Sequence, residues 1–262
     1  MARKKRWLHI SFRNTIQIFE LSSWKYFNEF ICDIMLDYPN YIWRGQASSN
    51  WKLTSPLDRK LEQLNKQDDP KIRTKLIEKF RYSIRGRRGT NPASLENEND
   101  LWALAQHYGL STPLLDWTIS PFVAAFFAFA DKDSCDSKFR SIFAISRTII
   151  KNTSNAILEK WNKSERAPII EFISPFSDEN MRLVSQGGLF TRCADGIDIE
   201  KWIENNFNNE KYFTLLKINI PNSEREICLK SLNRMNINYL SLFPDLTGSA
   251  KHCNLDLEIY KY

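Results

Sequence analysis

The chain has 262 residues, 42% of them hydrophobic, 13% aromatic and 26% charged, with a formal net charge of +6. That is enough apolar material for one large domain and too much for a disordered chain, and the basic excess favours an anionic partner such as nucleic acid. The five cysteines are scattered, odd in number and never spaced C-x-x-C, which argues against a disulfide framework and a zinc site, and His9, His107 and His252 have no metal spacing.

At the N-terminus, Arg3, Lys4, Lys5 and Arg6 are followed by Ser11, Arg13, Asn14 and Gln17 rather than by an apolar run, and no segment approaches a membrane span. The chain therefore reads as cytoplasmic, with neither a membrane nor a metal as partner. From Ser22, apolar residues recur at three- and four-residue steps, so a helix is expected there, capped by Ser22 or Ser23 and ending before Pro39. Residues 1–38 read as an N-terminal helical extension and 39–262 as the core of a single domain.

Tyr41-Ile42-Trp43 is β-prone and reads as a buried strand whose end presents Arg44. Leu57 to Arg85 is helical in pattern, interrupted by a polar tract around 65–70. A basic run through Lys79, Arg81, Arg85, Arg87 and Arg88 follows its end, and these arginines are candidate nucleic-acid contacts. A helix is expected over Leu101–Tyr108, stopped by Gly109, then a strand over Thr112–Thr118 with a polar tip. Ser120-Pro121 opens an apolar helix over Phe122–Ala130 that belongs at the centre of the fold.

Farther on, Phe139–Ser146 reads as a core strand, Asn155–Asn162 as a short helix, and Arg182–Phe190 as a turn entering a strand. Asp198–Asn206 and Ser223–Met235 are helical in pattern, Phe213–Ile220 alternates as a strand, and Tyr239–Gly248 reads as a strand followed by a loop. Helices and strands mix without a strict βαβ rhythm, so the fold class is α+β.

Four segments carry a family resemblance. They are Trp43-Arg44-Gly45-Gln46, the run from Leu104 through Gln106-His107-Tyr108-Gly109 to Asp116-Trp117-Thr118, Arg182 through Gln186-Gly187-Gly188-Leu189-Phe190, and Leu242-Phe243-Pro244-Asp245-Leu246-Thr247-Gly248. Together, and in this order, they resemble the FRG-domain family of bacteria and their phages. Trp43 stands where the family's aromatic is usually Phe or Tyr, and Pro113 where Arg is common. More distantly, Asp116 through Ala128 is similar to the second motif of ADP-ribosyltransferases, a strand with a polar end running into a Val-Ala and Phe-Ala helix. Arg44 matches that superfamily's strand-end arginine. The third motif usually supplies a glutamate, and here the corresponding residue is Gln186.

The resemblance implies a mixed, split β-sheet surrounded by helices, with NAD⁺ as the substrate of an ADP-ribosyltransferase. Arg44, His107, Asp116 and Gln186 become the candidate catalytic residues, and Arg44, Gly45, Gln46, Thr118 and Gly187 the candidate NAD⁺ contacts. A guanidinium can grip phosphate or ribose oxygens, a carboxylate can stabilise developing positive charge, and an imidazole can accept a proton near neutral pH. The implied role is a toxin or anti-phage effector modifying nucleic acid, RNA favoured, with an antitoxin protein as partner. An NAD⁺ glycohydrolase of the same fold and a non-catalytic nucleic-acid-binding module are the alternatives. The residues also admit structural readings: Arg44 as partner of a core carboxylate, His107 at a helix C-terminus, Asp116 as a helix cap, and Gln186 in a turn. Glu171, Glu179 and Asp245 are further candidates for the missing acid.

Overall fold

The structure is a computed structural model that describes residues 5–13, 16–90, 92, 94–132, 137–175, 181–207 and 213–262. The first strands, β1 (Trp7–Arg13) and β2 (Ile16–Leu21), pair antiparallel. A 3-10 turn (Trp24–Tyr26) capped by Ser23, α1 (Phe27–Phe30) and a π-helical segment (Ile31–Met35) follow. After β3 (Tyr41–Gln46) come α2 (Pro56–Gln63), α3 (Ile72–Ser83), α4 (Glu98–His107), β4 (Leu114–Thr118), α5 (Pro121–Ala130) and β5 (Phe139–Ser146). The second half holds α6 (Arg147–Lys160), β6 (Glu171–Ile173), α7 (Met181–Ser185), β7 (Gly188–Arg192), α8 (Ile199–Asn206) and β8 (Leu215–Pro221). Helices α9 (Arg225–Arg234), α10 (Tyr239–Leu242) and α11 (Leu246–Glu258) close the chain.

The fold is α+β, built on one mixed sheet of order β1-β2-β8-β5-β3-β4-β7-β6. β2 and β8 run parallel and the other neighbours antiparallel. β5 and β8 pair along their whole lengths, from Phe139 opposite Pro221 to Ile145 opposite Leu215. β3 and β4, by contrast, are in register at Trp43 opposite Thr118, and no other register pair joins them among the described residues. The sheet is therefore split between β3 and β4, and the cleft described below lies at that split.

Helix α5 covers one face of the sheet. Ser120 accepts a hydrogen bond from the Val123 amide and Pro121 occupies the first turn, where its missing N–H costs nothing. The helix buries Ala124, Ala125, Phe126 and Phe129 against Trp43, Ile142 and Ile218. Gly45 makes this approach possible: a Cβ there would collide with the Ala124 carbonyl oxygen and the Ala128 amide. A second core, with Ile42, Leu115, Trp117, Phe143, Ile145 and Leu189, spans the split from the other face, and a third joins α2, α3 and α4 to β4 and β7.

Two expectations are corrected. Residues 1–38 are not a purely helical extension, because β1 and β2 belong to the sheet. The buried side chains Gln17, Phe19 and Leu21 alternate along β2, the period of a strand half-covered by core. Tyr239–Leu242 is a helix rather than a strand, because the Asn238 side chain accepts from the Leu240 and Ser241 amides and Ser241 returns a bond to the Asn238 amide. The loop expected after it is α11, capped by Asp245.

Candidate functional site

Alternation along β3 turns Trp43 and Gly45 toward α5, leaving Ile42 and Arg44 on the opposite face. Where β3 and β4 part, the Arg44 guanidinium bridges them. Its Nη1 donates to the Asp116 carbonyl oxygen at 2.7 Å and lies 3.6 Å from Asp116 Oδ2. Its Nε is buried with no hydrogen-bond partner. Burial pushes the guanidinium pKa down. Asp116 opposes that shift, and the neighbouring Arg59 adds to it.

The Asp116 side chain is 62% exposed although its strand neighbours Leu115 and Trp117 are buried. Gln106, in the last turn of α4, holds it by donating from Nε2 to Oδ1 at 2.7 Å. The other end of that amide meets Thr112, whose hydroxyl accepts from the Leu114 amide at 3.3 Å and donates to Gln106 Oε1. An ionised carboxylate only accepts, so the amide nitrogen must face Asp116, and its oxygen then receives the Thr112 proton. His107 follows at the C-terminal end of α4, where the helix dipole favours a cation, and packs edge-on against Tyr108.

Thr118 closes β4. Its hydroxyl donates to the Gln186 carbonyl at 2.7 Å and accepts from the Ser120 amide at 3.1 Å, tying the start of α5 to the turn between α7 and β7. Gln186 Nε2 donates to the Leu242 carbonyl at 3.0 Å, which leaves Oε1 and the second N–H to offer a ligand. Beside it, Arg182 Nε donates to Asp245 Oδ2 at 2.6 Å and its guanidinium lies 5.3 Å from the centre of the Phe243 ring. The Arg182 bond, with the Gly248 amide, holds the Asp245 carboxyl down at about 2.

These groups surround one cleft of about 370 Å³. Arg44, His107, Asp116 and Gln186 all line it, with Gly45 and Thr118, and so do Gln106, Arg182 and the aromatic walls Trp43, Phe127 and Phe243. Asp116 is the one carboxylate among the described lining residues.

Two candidate contacts fall elsewhere. Gln46 is buried farther along β3, donating to the Lys52 carbonyl at 3.2 Å, and Gly187 is the positive-φ residue of a turn packed on Ile119. Arg81, Arg85, Arg87 and Arg88 lie on the end of α3 and the loop after it and do not line the cleft. Of the candidate acids, Glu171 is bonded to Arg166, Asp245 to Arg182, and Glu179 lies outside the described residues. Gln106 and Arg182 were within reach of the sequence, inside quoted motifs, but their roles depend on partners that only the fold supplies.

Among the described residues no helix is long and apolar enough to cross a membrane, and no group of three or more His, Cys, Asp or Glu is placed to hold a metal ion. No curated protein and no solved structure matches the chain. The family model of the FRG domain matches residues 39–137, from just before β3 to just before β5, so the stretch that carries Arg44, Gln106, His107, Asp116 and Thr118 is an FRG-domain match.

Proposed function

We propose that the cleft binds NAD⁺ and that the chain transfers ADP-ribose from it to nucleic acid, with RNA the favoured acceptor. The observation that carries this reading is the convergence of Arg44, His107, Asp116 and Gln186, drawn from β3, α4, β4 and the turn before β7, on one cleft. The donor set suits the ligand. Arg44 has a buried N–H without a partner, and it and Arg182 are cations suited to a diphosphate. The aromatic walls suit a planar ring.

In this reading the bond between the ribose C1′ and the nicotinamide nitrogen breaks, and its electron pair leaves with neutral nicotinamide. Positive charge develops on the sugar, and Asp116, pinned by Gln106, is the anion available to stabilise it. An acceptor lone pair forms the new bond to C1′, and His107 takes the proton the acceptor loses. Gln186, with one amide N–H bonded to the Leu242 carbonyl, acts as a neutral hydrogen-bonding partner for a ribose hydroxyl rather than as a base. Asp116 thus takes the place that a glutamate holds in the superfamily.

The test is incubation of the full chain with labelled NAD⁺ and cellular RNA, DNA and protein. Label is expected in RNA, with Arg44→Ala and Asp116→Asn each lowering it at least a hundredfold, about 2.7 kcal/mol of transition-state stabilisation. Transfer that persists in Arg44→Ala removes Arg44 from the mechanism. Free ADP-ribose without a labelled acceptor makes the chain a glycohydrolase, and nucleic-acid binding without NAD⁺ consumption makes it a binding module. A toxin or defence role, with an antitoxin partner, requires that expression arrests growth and that Arg44→Ala relieves the arrest.

A further inference from the structure

A second groove, of about 640 Å³, opens between α6 and the edge strand β6. Asn40, Asn99 in the first turn of α4, the outer face of α6 and residues 169–173 form its walls. Arg147 and Lys151 stand one turn apart on α6, both exposed, and neither has an ion-pair partner among the described residues. The Arg147 guanidinium lies 5.8 Å from the centre of the half-buried Phe172 ring.

The charge of these walls is one-sided. Asn99 Oδ1 accepts from Arg192 at 2.8 Å, which leaves its amide N–H₂ free to donate. Asn152 and Asn155 add further amides from α6. Ser154 is used up, bonded to both the amide and the carbonyl of Ile170. Glu171, the only carboxylate among the described wall residues, accepts from Arg166 at 2.6 Å. The groove therefore presents two unpaired cations, spare amide donors and a partly exposed aromatic ring, with its one acid neutralised.

Such walls suit a ligand that is anionic and rich in acceptors. The lining from Arg147 to Leu158 runs about 16 Å along α6, several times the roughly 3.4 Å between successive nucleotides of a stacked strand. Ile170 and Phe172 pack with Ile150 of α6 in the second core, so the groove lies on the sheet face away from α5, along the edge formed by β6.

We infer that the groove between α6 and β6 binds the sugar–phosphate backbone of single-stranded nucleic acid, with Arg147 and Lys151 on the phosphates and Asn99, Asn152 and Asn155 on sugar or base edges. This rests on the reading of nucleic acid as the acceptor and places its grip at the β6 edge of the sheet rather than on Arg81, Arg85, Arg87 and Arg88.

The experiment is fluorescence anisotropy of the full chain with labelled 12-mers of oligouridylate and oligodeoxythymidylate, without NAD⁺, over a salt series. The double variant Arg147→Glu/Lys151→Glu is expected to bind at least tenfold more weakly, and its log–log salt slope to be shallower by about 1.4, two single-strand phosphate contacts. Asn152→Ala/Asn155→Ala is expected to bind several-fold more weakly with an unchanged slope. All four positions are exposed, so thermal melts should match wild type and remove misfolding as an explanation. The inference is overturned if wild type binds neither strand. It is also overturned if the charge-reversed variant binds like wild type while Arg85→Glu/Arg87→Glu abolishes binding. NAD⁺ consumption, measured separately, decides the cleft: binding that survives where no NAD⁺ is consumed keeps the groove and discards the transferase.

Discussion

Asp116 is held by a residue that is itself braced one step farther back. Thr112 braces Gln106, and Gln106 holds Asp116. Thr112→Val removes the hydroxyl proton, leaves the Leu114 amide without its acceptor, and leaves Gln106 Oε1 without its donor, so the amide that holds the carboxylate is less well fixed. If the cleft turns over NAD⁺, Thr112→Val and Gln106→Leu should each lower that turnover about tenfold, near 1.4 kcal/mol. Thr112→Ser should stay near wild type. Because the two residues act through one chain of bonds, the double variant should be no slower than the slower single variant. The three-variant cycle is checked by initial rates at saturating NAD⁺. Losses that multiply would separate the two residues. The resemblance to known motifs made Arg44, His107, Asp116 and Gln186 legible as site candidates, because those motifs are short runs that survive in the sequence. It could not show that Gln46, on the same face of β3 as Arg44, is buried away from the cleft, since its bond to the Lys52 carbonyl depends on how the chain turns back after β3.

At the scale of elements, the rim of the cleft is tied by a contact 63 residues long in sequence, from Arg182 on α7 to Asp245 at the start of α11. Asp245 does two jobs, capping α11 through the Gly248 amide and pairing with Arg182. Its carboxyl is held at about 2, below the ordinary aspartate value of 3.8. The contribution of the ionised group is therefore complete above pH 3.8 and is lost as pH falls through about 2. Asparagine caps helices about as well as aspartate but brings no charge. The gap in melting temperature between wild type and Asp245→Asn should thus be constant at higher pH and close between pH 4 and 2, as read by scanning calorimetry across that range. A gap that stays open below pH 2 would mean the pair contributes nothing through its charge. Long-range ties of this kind leave no local signature. The α10 helix did leave one, the Asn238 and Ser241 capping box, but alternating Tyr239, Leu240, Ser241 and Leu242 imitate a strand over so short a run. In β5 and α5 local pattern and tertiary setting agree, and there the expected limits match the observed ones closely.

For the molecule as a whole, the consequential feature is a sheet whose two wings share one register pair. The large wing, β1-β2-β8-β5-β3, is laddered continuously, and the small wing, β4-β7-β6, has its own ladder. Backbone hydrogen bonds thus do little to couple the wings, and two of the contacts that do so among the described residues bear on the cleft. One is Arg44, donating across the split to the Asp116 carbonyl. The other is the core in which Leu115, Trp117 and Leu189 of the small wing pack on Ile42, Phe143 and Ile145 of the large one. Side-chain packing without a ladder allows sub-global opening at a lower free energy than full unfolding. Native-state hydrogen exchange should therefore show the amides of Leu115, Trp117, Leu189 and Thr191 opening as one group, before those of Ile142, Ala144 and Ile218. Arg44→Met keeps the length of the side chain but removes the bridge, so it should lower protection in the first group by about tenfold and leave the second unchanged. A single exchange isotherm shared by both groups would show that apolar packing alone makes the sheet one cooperative unit. Arg44 would then owe its position in the split to the cleft and not to the stability of the fold.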